Sequence, residues 1–275
     1  MIMYKRLLTI QDISCVGQCS LTVALPVISA CGIETAILPS AVLSNHTAGF
    51  KGFSFRDLTG DMEDIRSHWI EENLTFDAFY TGYVCPSQID PILHIMETCA
   101  NPGAVRIVDP VMGDNGKLYP GFAADFPKEM ARLCNGADYL LPNLTEAALL
   151  LGQECILENY DQAYIEETIA KLHVLGAKNV VLTGVSFEAG KLGFAASDGK
   201  KIEYYFRPKL AKMTHGTGDV FASVFAGAVV RGKSMYDAGA LAAEIVCTAI
   251  SHTPEEHWYG VRFEKAIPAL VEALK

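Results

Sequence analysis

The chain has 275 residues, half of them hydrophobic and a fifth charged, which excludes a disordered chain and allows one large domain or two ordinary ones. A formal net charge of −10 argues against nucleic acid or an acidic membrane as the main partner, while leaving room for a local basic pocket that holds a phosphate. The eight cysteines include no Cys-x-x-Cys pair, and no histidine spacing beside them suggests zinc. Most of them sit in apolar runs, which suits small buried hydrophobes with free thiols in a reducing cytoplasm. Lys5-Arg6 precedes an apolar stretch that Gln11-Asp12 interrupts, so no signal-peptide pattern is expected. The longest helical apolar run stops at Arg231, too short to span a bilayer.

Short apolar strands alternate with amphipathic helices. Leu7 to Ile10 reads as a first strand, and Leu21 to Ala30 as a helix with Pro26 inside it and Gly32 as its stop. Thr35 to Leu38 is a second strand. A polar helix ending near Glu72 precedes a strand at Ala78 to Gly82, and a helix follows over Pro91 to Cys99. Val105 to Asp109, Tyr139 to Asn143 and Asn179 to Gly184 are strands with polar ends, the last after a helix over Ile165 to Leu175. Gly193 to Ser197 and Ile202 to Phe206, joined by Asp198-Gly199-Lys200-Lys201, read as an edge hairpin. Three helices close the chain. This alternation implies right-handed crossovers and a largely parallel sheet covered on both faces. With no repeat or linker visible, residues 1–275 read as a single domain.

Ligands gather at the carboxyl ends of strands in such a sheet. Gln11-Asp12, Asp109, Asn143 and Thr183 all stand at such ends, which suggests a shared crevice. His215-Gly216-Thr217-Gly218-Asp219 leads directly into a helical apolar pattern beginning at Val220. Two glycines let a turn close tightly, and the helix start that follows offers unpartnered amides and a positive dipole end to an anion. Asp219 would repel that anion unless a metal accompanies it or the acid has a proton to take. Asp219 reads equally as a helix cap. Asn143 and Glu146, three apart, likewise read as a capping box or, beside Asp109, as part of a hard oxygen site for Mg²⁺ held partly through water. The P-loop pattern is missing, as is a Gly-x-Gly-x-x-Gly after the first strand, which weakens a dinucleotide oxidoreductase reading. Anion trap, magnesium shell and adjacent acid suit phosphoryl transfer to a hydroxyl, with Asp219 taking the proton.

The run from His215 to Asp219, Asp109-Pro110-Val111-Met112-Gly113 and Asn143-Leu144-Thr145-Glu146 resemble the three signatures of the ribokinase-like superfamily. Ser44-Asn45-His46-Thr47 and Thr81-Gly82-Tyr83 resemble its pyridoxal (vitamin B6) kinase branch. The resemblance covers nearly the whole chain. It implies a three-layer α/β/α sandwich with a mostly parallel central sheet, a homodimer, and use of MgATP to phosphorylate the 5′-hydroxymethyl of pyridoxal, pyridoxamine or pyridoxine. Carried over by motif, Asp219 is the base and the amides of Gly216, Thr217 and Gly218 form the anion hole. The resemblance puts Asp109 and Glu146 near magnesium, Asn143 beside them and Thr183 at the ATP phosphates. It makes the segment from Asp114 to Tyr119, with Lys117, a flap over ATP. Asp12, Val16, His46, Thr47 and Tyr83 become the vitamer contacts, Val16 and Tyr83 sandwiching the ring.

Two positions depart from that pattern. Asp12 stands where the branch commonly has serine, which suits a protonated ring nitrogen or an aminomethyl group. Leu141 replaces a threonine that helps hold a monovalent cation, which puts potassium activation in doubt. The hydroxymethylpyrimidine kinases of thiamine synthesis share the Asp-Pro-Val-Met and Gly-Thr-Gly elements but typically carry cysteine at the position of Asp219. A module that binds a vitamer without turnover would need neither Asp219 nor the magnesium-side acids. Cys15 and Cys19, four apart near the expected pocket, are expected to be inert packing.

Overall fold

The structure, a computed structural model, describes residues 4–212 and 214–275. These fall into two compact units, Met1–Val105 with Leu210–Lys275, and Arg106–Lys209.

The first unit begins with β1 (Arg6–Ser14), α1 (Leu21–Ala30), β2 (Glu34–Leu43) and β3 (Phe55–Asp57). It continues through α2 (Met62–Glu71), β4 (Phe76–Thr81) and α3 (Ile89–Thr98). The strand β5 (Ala100–Val108) runs from this unit into the second. The second unit adds β6 (Gly113–Asp114), β7 (Lys117–Leu118), α4 (Phe126–Cys134), β8 (Tyr139–Leu140) and α5 (Leu144–Leu151). It ends with α6 (Gln162–Val174), β9 (Val180–Val185), β10 (Lys191–Ser197) and β11 (Ile202–Pro208). The chain then returns to the first unit as α7 (Thr217–Val230), α8 (Met235–Ser251) and α9 (Ile267–Ala273).

In the first unit β1 is hydrogen-bonded in parallel to β2 and β4, and β3 adds antiparallel to β2. Leu7, Leu8 and Ile10 are wholly buried, as a continuous apolar strand covered on both faces requires. Helix α1 packs on β1, β2 and α7. Its contact with α7 is close because position 227 is glycine: a side chain there would strike the Cys31 thiol. Pro26 is accommodated inside α1, and Gly32 takes a positive φ of 78° just past its end, ending the helix where the pattern indicates.

In the second unit β5, β8 and β9 pair in parallel, and β10 and β11 follow as an antiparallel hairpin whose outer strand is the edge. The α/β class, the mostly parallel sheet and the edge hairpin all match the expectation. Four features do not follow from it. Strand β1 continues through Gln11 and Asp12 to Ser14, with a bulge in its pairing to β2, so these two residues lie within a strand and not at its end. Strand β8 is only two residues long because Pro142 lacks the amide needed to extend it. The short strand β3 carries too little periodic signal to be read from sequence, whereas the helix α4 is absent from the sequence reading although Phe126, Met130, Leu133 and Cys134 recur at helical spacing and are all buried. The thiols are also less buried than expected, since Cys31, Cys99 and Cys134 are buried but Cys15 is exposed. Among the described residues, no helix is long and apolar enough to cross a membrane.

Candidate active site

In the first unit the acids expected in catalysis and substrate binding, Asp219 and Asp12, come together around one loop. Gly216 adopts the left-handed conformation (φ 80°) as the residue before α7, and Asp219 falls in the first turn of that helix. A side chain at Gly216 would run into the Gln18 carbonyl, whereas one at Gly218 would meet open space. The turn is therefore pressed on one side against residues 17–19 and open at Gly218, where the helix-start amides lack intrahelical partners.

The loop from Cys15 to Ser20 is held by glycines at its contacts. Gly17 has φ 130°, and any side chain there would collide with the His46 ring; Gly260 likewise abuts the Gly17 carbonyl. His46 is buried and its tautomer is set by its partners. The Ala48 amide donates to Nδ1 at 3.1 Å, so Nε2 carries the proton and donates to the Tyr259 carbonyl at 2.6 Å. His46 thus braces the loop.

The carboxylates are electrostatically linked. Burial pushes Asp219 up to about 7, and the negative charge of Asp12 adds to that rise. The Ser20 amide, the Asp219 amide and the Cys19 thiol donate to Asp219 and oppose it. Asp12 is buried; burial raises it too, against hydrogen bonds from Ser20 and Ser14, the latter at 2.8 Å. The Cys19 thiol is pushed well up by burial and by both acids, so it stays protonated and acts as a donor. Tyr83 is half-buried, raised to about 12 by burial, Cys85 and Asp12, and its carbonyl accepts from Ser40 at 2.9 Å. Thr47 is exposed. Val16 is half-exposed and lines an open cavity of about 550 Å³ with Gln18, Pro26, Tyr259 and Phe263; its carbonyl accepts from the His46 amide at 3.1 Å, which joins it to a second expected vitamer contact.

In the second unit Asn143 and Glu146 form a reciprocal capping box on α5. The Glu146 amide donates to Asn143 Oδ1 at 2.9 Å, and the Asn143 amide donates to Glu146 Oε2 at 2.9 Å. Glu146 Oε1 also accepts from the Met112 amide at 3.3 Å, and Asn143 Nδ2 donates to the Gly113 carbonyl at 3.0 Å. The box therefore does more than cap: it ties the Asp109–Gly113 segment to α5. Burial raises Glu146 to about 8, with Asp114 adding to it. Asp109 is buried just beyond β5, and its charge, with that of Glu146, helps raise the fully buried Cys134 thiol. Thr183 on β9 forms a bridge to Asn143, bringing those two expected residues side by side.

Lys117 and Tyr119 stand on a separate exposed feature. Strands β6 and β7 form a two-stranded hairpin around Asn115 (φ 51°) and Gly116 (φ 74°), both in the left-handed region. The Gly116 amide donates to Thr145 at 3.0 Å, anchoring the hairpin tip to α5. The Asn-Gly pair is the sequence signal for this turn. The loop residues Gly17 and Ser20 are the larger omission, and their one signal was a glycine four residues before the first residue of α1; Cys19, expected as inert packing, instead has its thiol raised by burial and by both acids.

Among the described residues, no group of three or more His, Cys, Asp or Glu is placed to hold a metal ion. Asp109 and Glu146 offer hard oxygens of the kind Mg²⁺ takes while keeping most of its waters. Both Glu146 oxygens already accept backbone amides, so water-mediated contact is the form that fits it.

The fold, with these motifs on its strand ends and helix starts, is that of a kinase of the ribokinase-like superfamily. The chain belongs to the phosphomethylpyrimidine kinase family, whose model matches residues 25–260. It is similar to a structure from Bacteroides thetaiotaomicron described as a phosphomethylpyrimidine kinase and obtained with pyridoxal. The identity is 34%, the TM-score 0.91, and the match covers 97% of this chain and 96% of that one. A pyridoxal kinase structure from Lactobacillus plantarum is 32% identical with a TM-score of 0.90, over 98% and 97% of the two chains. Pyridoxal kinase of Dictyostelium discoideum is 29% identical over 252 residues, 83% of this chain and 80% of that protein.

Proposed function

We propose that residues 1–275 act as one kinase domain that transfers the γ-phosphoryl group of MgATP to the 5′-hydroxymethyl of a vitamin B6 vitamer. The observation that carries this is Asp219: an acid in the first turn of a glycine-capped helix, raised to about 7 so that it gains or loses a proton near neutrality. Asp219 takes the hydroxyl proton, and the amides of Gly216, Thr217 and Gly218 stabilise charge on the moving phosphoryl group. Bound Mg²⁺ neutralises phosphate charge; Asp109 directly and Glu146 through water are the residues that would hold it. Asn143 and Thr183 meet the phosphates, and Lys117 and Tyr119 on the β6–β7 hairpin cover them and exclude water. Asp12, His46, Thr47, Tyr83 and Val16 form the vitamer side, with His46 shaping the pocket through its backbone bonds. The pyridoxal and pyridoxal kinase descriptions of the similar proteins support the substrate class.

The test is ATP consumption with magnesium, offering pyridoxal, pyridoxal's amine and alcohol forms, and hydroxymethylpyrimidine in parallel, for wild type and Asp219→Asn. Turnover on a vitamer, falling about 10²–10⁴-fold in the variant, is expected. Turnover on the pyrimidine alone would move the substrate to thiamine synthesis, which the family's name keeps in view. Tight vitamer binding without turnover would make the protein a carrier. Asp12 also bears on vitamer choice. A buried carboxylate beside the ring favours a cationic ligand, so Asp12→Ser is expected to lower the pyridoxamine-to-pyridoxal ratio of kcat/KM. An unchanged ratio removes Asp12 from specificity.

A further inference from the structure

Residues 257–261 follow α8 and belong to none of the motifs read from the sequence, yet they meet the loops at Gly17, His46 and His215. The Tyr259 carbonyl accepts the proton of His46 Nε2 at 2.6 Å. The Val261 amide donates at 3.0 Å to the carbonyl of His215, which opens the glycine-rich turn. Gly260 sits between these two, and a Cβ there would collide with the Gly17 carbonyl and come 2.7 Å from the Gln18 side chain. The Trp258 ring packs on Phe50 with centroids 4.9 Å apart, and a Cβ at Gly49 would come 3.1 Å from it. Phe50 in turn stands edge-on to His46 at 5.0 Å, and His46 lies 5.2 Å from His215. The segment also holds its own shape. His257 Nδ1 donates to the Gly260 carbonyl at 2.7 Å, and the Arg262 amide donates to Thr253 Oγ1 at 2.9 Å. All of these residues belong to the first unit.

We propose that residues 257–261 form a strap that sets the vitamer loop at His46 and Thr47 in register with the anion-hole turn at His215, with Trp258 as its main positioning residue. This rests on the vitamer kinase reading and deepens it. The bonds to His46 and His215 leave the strap only two residues apart, at Tyr259 and Val261. One short piece of backbone therefore fixes how far the ring side of the site stands from the turn that receives the phosphoryl group. A vitamer held on the His46 side must bring its hydroxyl to that turn, and a misplacement of about 1 Å costs on the order of 10²-fold in rate. Trp258 is 48% exposed, so burial in the core does not account for its place. Its position does: the ring closes the series His215, His46, Phe50, Trp258 and pins the left-handed Gly49 (φ 78°) two residues after Thr47.

The experiment measures kcat and the KM for pyridoxal, pyridoxamine and MgATP in wild type, Trp258→Ala, Trp258→Phe and Gly260→Ala, with vitamer Kd by calorimetry. Trp258→Ala is expected to raise vitamer KM and Kd about 3- to 10-fold, the size of one lost aromatic pair, and to leave the KM for MgATP within about twofold. Trp258→Phe keeps a ring over Gly49 and is expected to recover most of that loss. Gly260→Ala is expected to lower kcat at least about tenfold as well, because the loop it displaces carries the Gln18 carbonyl that lies against Gly216. Trp258 is half-exposed, so its variants keep the fold even where Gly260→Ala does not. Vitamer KM and Kd unmoved in Trp258→Ala, or raised no more than the KM for MgATP, overturn the strap and leave the kinase reading standing. Wild type that neither binds nor turns over either vitamer overturns both.

Discussion

Asp219, the proposed base, shows what an acid held at this helix start costs the fold. Its proton is held to about 7 in the folded chain, against 3.8 for the ordinary group. Below 3.8 both folded and unfolded forms bind the proton. As pH rises from there, the unfolded chain releases it first, so folding stability falls until the folded pKa is passed. The loss across that window is at most roughly 4 kcal/mol, reduced by solvent screening at the part of Asp219 that stays exposed. Asp219→Asn is therefore expected to melt above wild type at pH 8 and to lose that advantage toward pH 4. Equal melting temperatures at pH 8 would mean that the carboxylate is not strained by burial. The acid itself was legible in the sequence as an oddity inside an anion trap. Its coupling to Asp12 was not, because more than 200 positions separate them and only the bulged β1 and the Cys15–Ser20 loop bring them together.

At the level of elements, the capping box on α5 is the clearest case of one local structure serving two ends. Taken as a helix start, Asn143-Leu144-Thr145-Glu146 needs nothing beyond itself. In the folded chain Glu146 also accepts from Met112 and Asn143 also donates to Gly113. The alternatives of cap and function are therefore not exclusive. Asn143→Ala is expected to lower stability by about 1–2 kcal/mol through the lost cap, and to raise the KM for MgATP while leaving that for the vitamer nearly unchanged. A uniform loss of kcat with both KM values intact would confine Asn143 to the fold. The β6–β7 hairpin makes a similar point. The segment from Asp114 to Tyr119 is expected as a flap, and within it Asn115 and Gly116 both sit in the left-handed region that a tight two-residue turn demands.

Over the whole molecule, local pattern was a sound guide to class. Leu7 to Ile10, Leu21 to Ala30 and the hairpin around Asp198–Lys201 are short-range features, set by alternation, helical spacing and turn residues, and all three stand where the sequence puts them. The motifs at Asp109–Gly113, Asn143–Glu146 and His215–Asp219 carried the resemblance to a kinase superfamily, and the chain belongs to the phosphomethylpyrimidine kinase family. What tertiary structure decided is which groups answer one another. Asp12 lies within a strand because β2 goes on pairing with β1 past Ile10, at Gln11, Ile13 and Ser14, which the apolar run of β1 does not announce. Val16 meets His46, 30 positions on, because the His46 amide donates to the Val16 carbonyl and Gly17 leaves room for the His46 ring. Sequence carries element type and chemical inventory, since both depend on neighbours along the chain. Proton affinities, tautomers and the partners of Trp258 depend on burial and on groups distant in sequence, and those exist only once the chain has folded.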